Sequence, residues 1–217
     1  MPPGLTEYLI AALTTLVVVV DPIGLAPIFA GLTQGLPAAM KRGIAFRASA
    51  IAVGILAASA LVGQWLLTKL GISLPAFRIA GGLFLFAIAF EMVYGKRTDR
   101  QSNTAQNAAE TDTAEKDRAA HIAAFPLGIP LLAGPGAIAA TLLLAGRAAG
   151  DPSYLAGLIG VIVLVGLIAA TSFCVAAAIT RLLGVVGNLV LTRLLGVILA
   201  ALAVQFVIDG VRAAAGM

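Results

Sequence analysis

Apolar stretches of about twenty residues, each long enough to cross roughly 30 Å of hydrocarbon as a helix, recur in this chain at 5–33, 44–67, 74–94, 122–145, 155–180 and 190–211. One buried core in 217 residues would not call for so many. With 60% hydrophobic and 11% charged residues and a mean hydropathy of +1.04, the sequence specifies an all-α integral membrane protein of six transmembrane helices. No Lys or Arg precedes Lys41, so the basic flank of a cleaved signal peptide is missing and the first apolar run is expected to stay in place.

The segment 96–121 is polar, mixes both charge signs and has no apolar period, and so reads as a mobile linker. It divides the chain into a first unit, 1–95, and a second, 122–217, of three spans each. Lys41, Arg42, Arg47, Lys96, Arg97, Arg100, Lys116, Arg118 and Arg181 fall in alternate loops, and only Lys69, Arg147 and Arg212 fall in the others. The positive-inside rule makes the first set cytoplasmic and puts both termini outside. The basic residues, for a net charge of +4, are spread over loops and span ends, which excludes nucleic acid as a partner and leaves membrane lipids.

An odd number of spans per unit sets the second upside down relative to the first, so a repeat here is an inverted one. Arg78 to Gly95 and Arg193 to Gly210 have the same spacing, 17 residues (95 − 78; 210 − 193), with Gly81 and Gly196 each three residues past the arginine. A second match joins spans one and four: "DPIGLAP" beginning at Asp21 and "PLLAGPGAIAAT" beginning at Pro130 are Pro and Gly interruptions of otherwise apolar runs. Proline removes a donor and glycine weakens the helix, so helices 1 and 4 are expected to be discontinuous. Kinks made only for packing are the simpler account of each break alone. Paired breaks at corresponding positions point to a shared polar site near the midplane.

A half-helix that starts after such a break offers free N–H groups and the positive end of a dipole to a substrate carboxylate. The candidate substrate contacts are Asp21, Pro22, Ile23, Gly24, Gly134, Pro135, Gly136, Ala137 and Ile138, with the Thr141 hydroxyl one turn further on. Gly24 and Gly136 are expected to let the ligand approach the chain. Asp21 is suited to a substrate ammonium or a coupling proton, and equally to capping a half-helix that begins at Pro22. The other coupling or gating candidates are Arg78, Glu91, Arg193, Gln205 and Asp209, with Arg78–Asp209 and Arg193–Glu91 as the expected ion pairs and Gln205 expected to bond between helices.

No cofactor or metal is implied. Cys174 stands alone in an apolar run and reads as core packing; His121 is the single histidine; and zinc-protease and phosphate-loop motifs are absent, so an enzyme finds no support. Trp65 and Tyr94 fit interfacial anchors. The glycines of Gly31-Leu-Thr-Gln-Gly35 permit close helix packing within the chain or in a homo-oligomer.

The stretches "DPIGLAPIF", "GISLPAFRIAGGLFLFAIAFEM", "FPLGIPLLAGPGAIAAT" and "RLLGVILAALAVQFVIDG" resemble the MarC/SnatA family of six-span inner-membrane proteins. The resemblance implies an inner-membrane transporter of small neutral amino acids such as glycine and alanine, driven by protons, with sodium left open. It implies ligand contacts at Asp21, Pro22, Ile23 and Gly24 and at Gly134, Pro135, Gly136 and Ala137. A passive channel or exporter of other small solutes and a membrane scaffold without transport are the alternative readings.

Overall fold

The structure, a computed structural model, describes residues 4–109, 115–148 and 151–216, and these are almost wholly helical with no strand among them. In order they form α1 (Leu5–Val20), α2 (Ala26–Leu32), α3 (Ala38–Lys69), α4 (Leu74–Val93), α5 (Lys96–Ala109), α6 (Glu115–Ile122), a wide π-type segment (Ala123–Leu132), α7 (Pro135–Arg147), α8 (Pro152–Cys174) and α9 (Ala176–Ala214).

Helix boundaries follow local chemistry. Ser73 Oγ accepts from the Ala76 N–H at 3.3 Å to start α4, and Asp151 Oδ1 accepts from the Ser153 N–H at 2.8 Å to start α8, each with a proline in the first turn. Inside the π-type segment Phe125 and Ile129 are extended, as expected of residues that precede a proline. At Gly184, φ is 60°, a left-handed conformation that suits glycine and divides α9 into a short arm and a long apolar helix, Val186–Ala214.

Four helices are long and apolar enough to cross a membrane: Ala38–Lys69, Leu74–Val93, Pro152–Cys174 and Val186–Ala214. Among the described residues, Ala119–Leu132 and Pro135–Arg147 are bent by 57° at the break expected between Pro130 and Gly136 and count as a fifth span if the bent pair crosses as one. The chain is thus an all-helical, multi-pass integral membrane protein with four or five such spans. The first apolar run is divided, and α1 alone, 16 residues long, reaches only about 24 Å. Trp65 and Tyr94 are well exposed near span ends, where an interfacial anchor would stand.

The most extensive helix contact is between α4 and α9, which run antiparallel with glycines at the crossing. A Cβ on Gly82 would sit 2.8 Å from the carbonyl oxygen of Ala203, and one on Gly196 would sit 2.8 Å from Met92 Cβ. Glycine lets these backbones approach where lipid supplies no hydrophobic drive. On the other side of the bundle, Phe29 of α2 stacks on Phe173 of α8 with ring centroids 4.7 Å apart.

Three sequence expectations change here. Residues 96–109 and 115–121 of the expected mobile linker are helical, while 110–114 lie outside the described residues. Cys174 is exposed rather than packed in the core, since it ends α8 on the outward side. Gln205 donates to Asp209 Oδ1 at 2.7 Å along its own helix, not to a neighbouring one, because residues four apart share a face.

Candidate functional site

The first break is built on Asp21. After Val20 the helix stops because Asp21 adopts φ 51°, ψ 58°, a left-handed conformation in which aspartate is one of the more tolerated residues. Its N–H still reaches the Val17 carbonyl at 2.9 Å, its own carbonyl accepts from Leu25 N–H at 3.0 Å, and its Oδ1 accepts from Gly24 N–H at 3.0 Å. The carboxylate, only 3% exposed, therefore closes its own turn. A Cβ on Gly24 would fall on Asp21 Oδ2, so this glycine makes room for the carboxylate rather than for a ligand. The second half-helix begins at Ala26, not at Pro22, and Asp21 caps the turn rather than a helix start.

Ending α1 at Val20 also frees the last carbonyls of that helix. Arg97 of α5 meets them. Its guanidinium donates to the Val19 carbonyl and to Met92 Sδ, the latter at 2.9 Å, in a side chain 6% exposed. A cation at a helix C-terminus is favourable. Arg97 and Asp21 also interact electrostatically without a direct ion pair, and Thr192 of α9 approaches the same carboxylate, its Oγ1 making no hydrogen bond of ordinary geometry.

The second break is left open. Ala133 and Gly134 separate the π-type segment from α7, and no side chain caps the start of α7. Pro135 has no N–H to satisfy; Ile138 N–H is bonded to the Gly134 carbonyl at 3.0 Å; the N–H groups of Gly136 and Ala137 have no acceptor among the described residues. They belong to the wall of a cavity of about 320 Å³. The opposite wall is α5, whose Arg97, Arg100, Gln101 and Thr104 face inward at the spacing of one helical face. Val19, Ile88 and Glu91 are among the residues between them.

The cavity thus gathers Gly134, Pro135, Gly136, Ala137 and Glu91 from the expected residues. Pro22, Ile23, Gly24 and Asp21 do not line it, although Val19, just before that break, does. Thr141 is fully buried and donates to the Ala137 carbonyl at 2.8 Å, one turn back, instead of facing the cavity. Gly136 is small for packing: a Cβ there would run into Ile88 Cδ1 and lie 3.4 Å from Val19 Cγ1.

The charged residues pair differently from expectation. Glu91 meets Arg100 at 2.8 Å at the cavity mouth, and Asp209 pairs with Arg147, whose guanidinium also lies 4.6 Å from the Phe206 ring centre. Arg147 ends α7 and Arg100 lies on α5, and both elements dock where the two acids are found. Arg78 instead reaches the Gly146 carbonyl at 3.5 Å, with its Nε buried and unpaired, and Arg193 approaches Gly95. Sequence reading missed Arg97, Gln101 and Thr104, which sit in a stretch whose composition signals solvent; their 97, 101, 104 spacing was the available clue.

Broken apolar helices, backbone donors free inside the bundle and charged side chains around the same cavity define an integral membrane protein with an internal polar site. The family to which the chain belongs fits that class: the model of the MarC family of integral membrane proteins matches residues 6–215. A UPF0056 membrane protein of Methanocaldococcus jannaschii is 34% identical over 96% of this chain and 98% of its own length. UPF0056 membrane protein YvbG of Bacillus subtilis is 34% identical over 95% of each chain, and YhcE of Escherichia coli is 35% identical over 89% of this chain and 86% of its own. No solved structure matches the chain.

Proposed function

We propose that this protein is a secondary transporter of small neutral amino acids, glycine or alanine in size, working by alternating access with a proton as coupling ion. The observation that carries the reading is the cavity at the second break, which unbonded amides of Gly136 and Ala137 line together with Glu91, Arg97 and Arg100. Amides and guanidinium groups suit a carboxylate, and Glu91 at the mouth suits an ammonium. Its volume, about 320 Å³, is at the small end of ligand sites. A second cavity, also about 320 Å³, lies at the other end of α7 beside Gln64 and Asp151, which supports access from two sides.

In this reading α1 and α2 together form the first of six spans, and 1–95 and 122–217 are inverted three-helix repeats joined by the polar segment 96–121. The antiparallel crossing of α4 and α9 supports the symmetry: a Cβ on Gly210 would lie 3.0 Å from Arg78 Cβ, and one on Gly95, its counterpart, 4.0 Å from an Arg193 guanidinium nitrogen. The protein resides in the inner membrane with both termini outside. Asp21, buried beside Arg97 and Thr192, serves the coupling proton while Glu91 faces the substrate ammonium.

Uptake of labelled glycine and alanine into proteoliposomes, with and without a proton gradient, tests this. Saturable, gradient-driven uptake is expected. Flux that does not saturate would make the protein a channel, and no flux with either solute would end the transport reading.

A further inference from the structure

Among the described residues, the deepest-set cation is one that the sequence reading left in solvent. Arg97 is buried, yet it has no carboxylate in direct contact and spends two donors on a backbone carbonyl and a thioether. A guanidinium has five N–H donors in a rigid fork, so its hydrogen-bonding capacity is not filled. The same side chain lines the cavity opposite the unbonded amides of Gly136 and Ala137. Two guanidinium groups and one carboxylate make the charged lining, and Glu91 is already paired with Arg100. Asp21 offsets part of the Arg97 charge without touching it, but the guanidinium donors left over and the two amides remain unsatisfied toward the cavity, which is costly inside a membrane protein.

We infer that Arg97 binds the carboxylate of the solute that enters this cavity, holding it against the Gly136 and Ala137 amides. The inference rests on the transport reading for its solute and adds a specific ligand to it. Planar, two-pronged recognition is what distinguishes Arg from Lys at such a position. Because α5 carries the ligand, filling the cavity also fastens this polar helix to the break between the π-type segment and α7. A solute lacking a carboxylate would leave Arg97 and the amides unsatisfied, so selection acts on the carboxylate before it acts on the side chain.

The test is equilibrium binding of labelled glycine and labelled acetate to the full chain in nanodiscs of phosphatidylcholine, with glycinamide as competitor. Glycine and acetate are expected to bind and glycinamide to compete at least about tenfold less well than glycine. Arg97→Gln in an Asp21→Asn background, which removes both buried charges together, is compared with Asp21→Asn alone and is expected to lose about tenfold or more in glycine affinity. Arg97→Lys, which keeps the charge and loses the fork, should fall between. Binding within about twofold of the matched control in a folded Arg97→Gln protein, or equal competition by glycinamide, overturns the inference. If the double variant does not fold, Arg97→Lys decides alone, and binding equal to wild type overturns it. Arg97-dependent binding without flux in proteoliposomes sinks the transport reading and keeps this one; saturable uptake indifferent to Arg97 does the reverse.

Discussion

The two breaks look alike in sequence and are finished in opposite ways. At Asp21 the chain consumes the groups it frees: the carboxylate takes Gly24 N–H, the carbonyl takes Leu25 N–H, and Arg97 takes the Val19 carbonyl. At Gly134 nothing caps α7, and two amides are left beside a cavity. The far end of α7 sharpens the contrast, because there Tyr8 donates to the Leu144 carbonyl at 3.0 Å and Arg78 reaches that of Gly146. The carbonyls of Leu144 and Gly146 are thus met by side chains of α1 and α4, while no side chain caps the other end of α7. The first break closes on itself, and the second opens onto a cavity.

That comparison can be broken most forcefully at Gly134. A Cβ there would strike the Pro130 carbonyl oxygen, a backbone atom with no easy retreat, so Gly134→Ala should cost roughly 2–3 kcal/mol, read as a lowered thermal transition in nanodiscs. The first break should respond next. Asp21→Ala leaves the buried Gly24 N–H without its acceptor and should cost about 1–2 kcal/mol. Asp21→Asn keeps an oxygen in the same place and should cost less than about half as much, while uncoupling uptake from the proton gradient. Equal losses for the two variants would show that charge, not the cap, holds that turn.

Gly136→Ala separates packing from binding. Its Cβ meets the flexible end of Ile88, so stability should fall by less than about 1 kcal/mol. Glycine uptake should fall further than stability does, and Ile88→Val should restore both. The smallest effect is expected at the Arg147–Asp209 pair, whose side chains keep 29% and 28% of their exposure. Asp209→Asn should change stability by under about 1 kcal/mol and leave glycine binding in the cavity unchanged.

Much of this was legible in the residues. Proline and glycine inside apolar runs marked both breaks, since neither the missing donor nor the missing Cβ can be hidden by context. The spacing of Arg78 and Gly95 against Arg193 and Gly210 was read as a repeat, and in the ion pairs expected there each acid found another partner. Asp21 was read as a residue for a substrate ammonium, a coupling proton or a helix cap; the cap it forms closes a turn and not a helix, because a left-handed backbone at that residue turns the carboxylate onto Gly24. Of the amides expected as donors at the second break, that of Ile138 is already satisfied by a carbonyl four residues back.

By itself, then, the sequence determined that this chain lives in a membrane, that its first and fourth apolar runs are interrupted, and that Gly136 and Ala137 begin a helix with nothing to cap them. Those outcomes depend on local covalent geometry and on the hydropathy of neighbouring residues. Only the tertiary structure decided that a polar, highly charged segment would fold into α5, bury Arg97 against the end of α1 and close a cavity over the second break. Arg97 shares α5 with Arg100 and other polar residues, and the 97, 101, 104 spacing marks a face without saying that protein rather than water covers it. Its place is set by a carbonyl 78 residues away in sequence, freed only because another helix stopped at Val20.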